Sequence, residues 1–329
     1  MKTKAMTDGA MLSALAVIFS LLSYYVPFLM IFYFFIPVPA AIAANKHGMK
    51  VAVIAGIAAT LILIFFMDLV SALSCGMYLL ITGCVVGWAY RSKKSGFVRL
   101  ALSYVASLLT LTLSLALLQL ITGQNFITEF SAAVDQSMAE IQTMYQSLAA
   151  DPSTQQLLSA EQLESATTLV DTLGRVIKMM IPASFLLAPF IIGWINVIIT
   201  DKMMVRLKLP VDRLKPLSQW RMPRSLAFFM LCVITFLGLA DLFNWEFIPE
   251  IYSFTLTTIC YMVYGLMGMG FVFWLINRKR KKESTGLKIL AVAVCFLFSW
   301  LSYLLVFVGL ADAYMDLRRF MAFNGGDHR

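Results

Sequence analysis

The sequence predicts an all-helical, polytopic integral membrane bundle of about nine spans. Composition is the first reason: of 329 residues, 60% are hydrophobic and 13% charged, against about 45–50% and about 25% in soluble domains. Mean hydropathy is +0.82. The second reason is that the apolar residues gather into runs close to the ~20 needed to cross a bilayer. The third is a strict alternation of basic and acidic loops between those runs. A soluble globular protein is excluded, and 25 Phe at low charge density exclude a disordered one. A net charge of +8 suggests a nucleic-acid reader, but in a membrane protein that surplus reflects Lys and Arg held in cytoplasmic loops. No nucleic-acid partner is expected.

The apolar runs lie at 9–25, 26–44, 49–67, 69–90, 99–122, 176–200, 225–243, 251–276 and 289–311. Pro37 and Pro39 sit in the second run, which should be kinked or broken, with a re-entrant segment as the alternative. The first run follows Lys2, Lys4 and Asp8. No small-residue cleavage site follows at the right distance, so it is read as a retained helix, not a signal peptide.

Two bases at Lys2 and Lys4, two at Lys46 and Lys50, four across 91–99, seven across 202–224 and six across 278–288 make 21 of the 26 Lys and Arg. All fall on one side. The other side holds Asp68, the acidic stretch 129–171, Asp241, Glu246 and Glu250. Under the positive-inside rule the N-terminus is cytoplasmic in a bacterial plasma membrane. Nine crossings then place the C-terminus outside.

Between the fifth and sixth runs lies an external helical hairpin, 123–175. Its residues Ile127, Phe130, Val134, Met138, Ile141, Tyr145 and Leu148 step by three or four. Asp151-Pro152 fits a helix start, and Ser159 with Gln162 fits a capping box. The hairpin is either a lid over an external cavity or a solvated pair packing its own stripe. Residues 203–224, with Pro210, Pro216 and Pro223, form a basic cytoplasmic connector to three C-terminal spans and a short tail, 225–329. This connector and the cluster Arg278 to Lys282 either bind anionic lipid or simply set topology.

Chemistry-bearing groups are scarce. Five cysteines form no CxxC pair, there is no HExxH or GxxxxGK[ST] string, and histidine supplies only His47 and His328. Asp68, Asp241 and Asp312 are expected at external turns or outer helix ends. No catalytic residue, metal or cofactor is expected, so energy for any uphill movement must come from a partner. Neutral polar residues do lie within spans. Asn196, with Trp194 two positions away, suits hydrogen bonding and stacking of a small polar ligand, or interhelical glue. Ser71, Ser74, Tyr78 and Thr82 share a rough face. Gly83 with Gly87, and Ala52 with Gly56, are small-xxx-small packing pairs. Gly265, Gly268 and Gly270 resemble a nucleotide fingerprint only as a string, with no strand before them. Gly-Leu-Ala-Asp recurs at 238–241 and 309–312.

The first six spans follow a known plan. A basic N-terminus leads into a helix bearing the AxxxA of Ala10 and Ala14, then the proline-broken Ile36-Pro37-Val38-Pro39-Ala40, the turn Asn45-Lys46-His47-Gly48-Met49-Lys50, and four further helices. This resembles the substrate-binding S component of energy-coupling-factor vitamin transporters over residues 1–202. The end of the chain, Gly309 to Arg318, resembles the YybS-like group of uncharacterised bacterial membrane proteins (domain of unknown function 2232), a likeness that covers essentially the whole chain. The resemblance implies a six-helix, S-component-like core that binds a small molecule on its outer side. It also implies a transmembrane coupling protein, with ATPases beneath it, packed on the first helix at Ala10 and Ala14. Three extra C-terminal spans, a longer external hairpin and a short first external loop depart from the S-component pattern.

The resulting expectation is a small-molecule binding or transport protein. Its tentative ligand-binding residues are Tyr78, Trp194 and Asn196, covered by the hairpin across 126–148. The alternative is a membrane scaffold or regulator that binds proteins or anionic lipids through its hairpin and basic loops.

Overall fold

The computed structural model of the chain describes residues 3–150, 160–243, 245, 248–279 and 285–324. These residues are helical with short connections, and they divide into two compact units, Met1–Leu214 and Lys215–Arg329. The boundary falls inside the basic connector. Among the described residues, seven helices are long and apolar enough to cross a membrane, or eight if one bent pair counts as a span.

In the first unit, α1 spans Thr3–Tyr25. The second apolar run is broken as expected: a 3-10 segment, Pro27–Phe35, leads into α2, Pro37–His47. Pro37 and Pro39 occupy the first turn of α2, where backbone N–H groups have no intrahelical partner to lose. At ~2.0 Å per 3-10 residue and ~1.5 Å per α residue the combined element reaches roughly 34 Å, long enough to cross a bilayer. The sharp turn to α3, Met49–Ile64, uses Gly48 at φ +95°. A Cβ there would sit 2.7 Å from the Arg91 guanidinium.

The fourth apolar run forms α4, Leu69–Met77, then a single π-helical turn, Tyr78–Thr82, then α5, Gly83–Arg91. Gly83 and Gly87 lie directly on α2, where added Cβ atoms would meet Ala40 and Ala44 and the carbonyls of Pro37 and Ala41. Gly56 is similarly pressed on Leu80. The small-residue pairs are therefore close-packing positions. Helix α6 is Gly96–Thr122, α7 is Phe126–Ala150 and α8 is Ala160–Arg206.

Helices α7 and α8 make the hairpin. Lys178 pairs with Asp135, Gly174 packs on Met138, and Gln142 donates to Asp171. The stripe members Val134 and Met138 thus face α8. The proposed starts at Asp151-Pro152 and Ser159 lie outside the described residues, as does Glu246.

The ends of the first unit sort by charge. At one end, His47 pairs with Asp8 at 2.8 Å and Arg91 approaches the Ala44 carbonyl. At the other, the Tyr24 hydroxyl donates to Asp68 at 2.8 Å, and Tyr25 donates to the Phe66 carbonyl. Loops carrying Lys46, Lys50 and residues 91–99 therefore share the end that holds the start of α1.

The second unit contains α9 at Arg224–Leu242, α10 at Glu250–Lys279, α11 at Thr285–Leu297, α12 at Ser299–Met315 and α13 at Leu317–Asn324. Two expectations need correction here. The ninth run, 289–311, is not one straight crossing: it bends by 116° between α11 and α12. In addition, α12 ends at the unit's own N-terminal segment. Arg318 donates to the Ser218 carbonyl at 2.6 Å, and Arg221 lies 3.5 Å from Asp316. Asp312 therefore sits at the connector end, while Asp241, at the far end of α9, sits opposite, where it accepts from Ser253 at 3.3 Å. The two Gly-Leu-Ala-Asp strings mark opposite ends of the unit. An added Cβ at Gly268 or Gly309 would clash with the carbonyls of Leu305 and Tyr264 on the facing helix, so these glycines are close-packing positions between α10 and α12.

Candidate functional site

Tyr78 and Asn196 meet in the middle of the first unit. They are 118 residues apart in sequence, yet Asn196 Nδ2 donates to the Tyr78 hydroxyl at 2.7 Å. Both are sealed from the surface, Tyr78 at 2% and Asn196 at 1% exposure. The π-helical turn beginning at Tyr78 inserts one extra residue per turn and re-aims the side chain. Such single turns recur at functional sites. Tyr33 of the 3-10 segment stacks on Tyr78 at 4.6 Å between ring centroids and 7° between planes. Tyr33 keeps part of its ring exposed, so the three residues form a column from the surface to the buried amide.

The polarity of this column is incomplete. Asn196 Oδ1 is buried without a hydrogen-bond partner, as are the hydroxyls of Ser103 and Ser107 on α6. Thr82 and Thr110 meet at 3.4 Å between the π turn and α6. A buried acceptor left unpaired costs about 1–3 kcal/mol, more than the average interhelical hydrogen bond of ~0.6 kcal/mol in a membrane protein returns. The seam among α4–α5, α6 and α8 thus holds more polar capacity than packing alone uses.

Trp194 does not join this site. It lies 6.4 Å from Phe190, which in turn meets Tyr104 at 6.1 Å. Two positions along a helix are ~200° apart, so Trp194 and Asn196 point to opposite sides. Ala10 and Ala14 are both exposed and, at i and i+4, share one face of α1.

A second polar centre was not anticipated. Arg99, counted among the basic residues of 91–99, forms a buried ion pair with Asp201 at 3.2 Å. They are buried because α6 begins at Gly96 and α8 continues to Arg206, so both helices overrun their apolar runs. The Tyr90 hydroxyl donates to Asp201 Oδ1 at 2.6 Å, and the Leu214 N–H donates to Oδ2 at 2.8 Å. Arg99 lies 4.3 Å from the Tyr90 ring centroid and donates to the carbonyls of Lys94 and Asp212. The only sequence signal was a charge at each end of an apolar run. The cluster fastens residues 212–214 to the bundle.

The family profile described as "Predicted membrane protein (DUF2232)" matches residues 14–313. The chain belongs to this family. It is 22% identical over 326 residues to a protein of Bacillus subtilis (strain 168) described as "Uncharacterized protein YybS", covering 96% of this chain and 98% of that one. No solved structure matches the chain. The DUF2232 match spans both units, so the C-terminal helices lie within the region that the family profile covers.

Proposed function

We propose that the first unit of this multi-pass membrane protein binds a small neutral molecule at Tyr78 and Asn196, in the manner of a transporter's capture subunit. The observation that carries this reading is the unpaired, buried Asn196 Oδ1 beside the Tyr78 hydroxyl. Interhelical glue accounts for the amide nitrogen but leaves the carbonyl idle. A ligand N–H or O–H would engage it, and ligand sites are mostly apolar with a few placed polar groups. The ligand would reach the pair by displacing Tyr33, whose stacked ring covers it. The protein contributes no catalytic chemistry of its own.

Energy would come from a transmembrane coupling protein with ATPases, docked on the exposed Ala10–Ala14 face of α1. On this reading the N-terminus lies in the cytoplasm with the basic loops, as the positive-inside rule suggests. A scaffold role is the second reading, favoured by the exposed Ile127, Met144, Leu169 and Leu173 of the α7–α8 hairpin.

The test is a thermal-shift screen of the purified protein against small uncharged polar compounds, repeated on Asn196→Leu. A true ligand should lose roughly 1–3 kcal/mol of binding in the variant, while the variant's own melting changes little. Unchanged ligand shifts with a lowered melting point would identify Asn196 as glue.

A further inference from the structure

The second unit holds a polar cavity that the binding reading above does not use. It encloses about 180 Å³ and is lined by Arg221, Arg224, Met267, Gly309, Asp312 and Asp316 among others. Its floor and its mouth differ in sign. On the floor, Asp312 is 10% exposed and pairs with buried Arg318 through Oδ2 at 2.9 Å. Its second oxygen, Oδ1, is buried with no hydrogen-bond partner. Asp316 supplies a second carboxylate, met by Arg221 only at 3.5 Å. At the mouth, Arg221 and Arg224 are exposed, and Arg224 makes no ion pair among the described residues.

Each observation restricts the occupant. An unpaired buried carboxylate oxygen calls for a cationic or strongly donating group. Two guanidiniums at the mouth call for an anion, phosphate or carboxylate, which they match in bidentate geometry. A purely anionic ligand would meet the carboxylates on the floor, and a purely cationic one would meet the guanidiniums at the mouth. The volume is below the roughly 300–1,000 Å³ of pockets for drug-sized ligands, so the occupant is no larger than a headgroup. Because α12 returns to the connector end, this cavity lies beside the basic connector.

The geometry points to a zwitterionic amino-phosphate site: a primary ammonium held at Asp312 and Asp316, with its phosphate held by Arg221 and Arg224. The same chemistry is carried by the headgroup of phosphatidylethanolamine and by a free aminoalkyl phosphate.

The experiment uses full-length protein, delipidated in detergent and incubated with equimolar phosphatidylethanolamine, phosphatidylglycerol and phosphatidylcholine. Retention is read by native mass spectrometry. Phosphatidylethanolamine should be kept at least ~10-fold over the other two, because only it offers both a primary ammonium and a phosphate. Asp312→Asn and Arg224→Gln should each reduce that retention at least ~5-fold. Arg224 is exposed, so its variant tests the site even if Asp312→Asn unfolds. Excess O-phosphoethanolamine that displaces the lipid would assign the site to a soluble ligand of the same chemistry, and failure to displace would assign it to the lipid. Equal retention of phosphatidylglycerol, or unchanged retention in both variants, would overturn the proposal.

Discussion

Asn196 on α8 gives its amide proton to the Tyr78 hydroxyl at 2.7 Å, across 118 residues of sequence and onto a π-helical turn. The contact ties the π-helical turn of the fourth apolar run to α8 in the interior of the first unit. Tyr78→Phe removes the acceptor and strands Asn196 Nδ2, so its cost should be ~0.6–2 kcal/mol, within the range seen for membrane hydrogen bonds. A double-mutant cycle with Asn196→Leu, read by thermal unfolding in detergent, should give a coupling energy of that size. Strict additivity would show that the pair is not formed.

The buried Arg99–Asp201 pair behaves differently. Removing one charge leaves the other uncompensated, and such single losses cost about 3–5 kcal/mol. Asp201→Asn should therefore destabilise strongly, and Arg99→Met combined with Asp201→Leu should recover part of the loss. The connector should respond as well, because Leu214 N–H and the Asp212 carbonyl bind this pair. Protease cleavage near 212–214 should accelerate in the single variant.

Asp68 sits at the opposite end. It caps α4 by accepting from the Ser71 N–H at 2.9 Å, and this bond holds its carboxyl below the usual carboxylate range. A depressed carboxyl contributes stability above its ordinary titration range and loses it as pH falls through its lowered value. Lowering the pH from neutral to below the ordinary carboxylate range should erode the advantage of wild type over Asp68→Ala, measured by unfolding midpoint. At neutral pH that difference should be about 0.5–2 kcal/mol, the usual worth of an N-cap. A difference that grows on acidification would contradict the capping role.

Topology offers an independent check. Reporter fusions after Lys94, after Arg221 and at the C-terminus should report the same side, and one near Ala150 the other. The C-terminal result separates the folded-back α11–α12 pair from a ninth straight crossing, which would place that reporter opposite Arg221.

Much of this was legible in the chain. Apolar runs located the helices, and Pro37 with Pro39 located the break in the second run, because proline acts locally through one missing donor. Val134 and Met138 announced the hairpin because helical spacing is a short-range signal. Pairings between distant residues were not legible. Tyr78 and Asn196 each looked like a lone polar residue, and no local pattern encodes which helices meet or where a π turn is inserted. The pairing of Arg99 with Asp201 went unseen because run boundaries follow hydropathy, whereas helices continue past them. The bend at Phe298 escaped notice because an apolar run reads the same whether straight or folded back.

The most direct measurement is native mass spectrometry of the wild-type protein released gently from its own membranes. The binding account expects a small-molecule adduct on wild type that is absent from Asn196→Leu and from Tyr78→Phe purified in parallel. An adduct retained equally by both variants, or a wild-type protein with no adduct and no response to any uncharged polar compound, would contradict it.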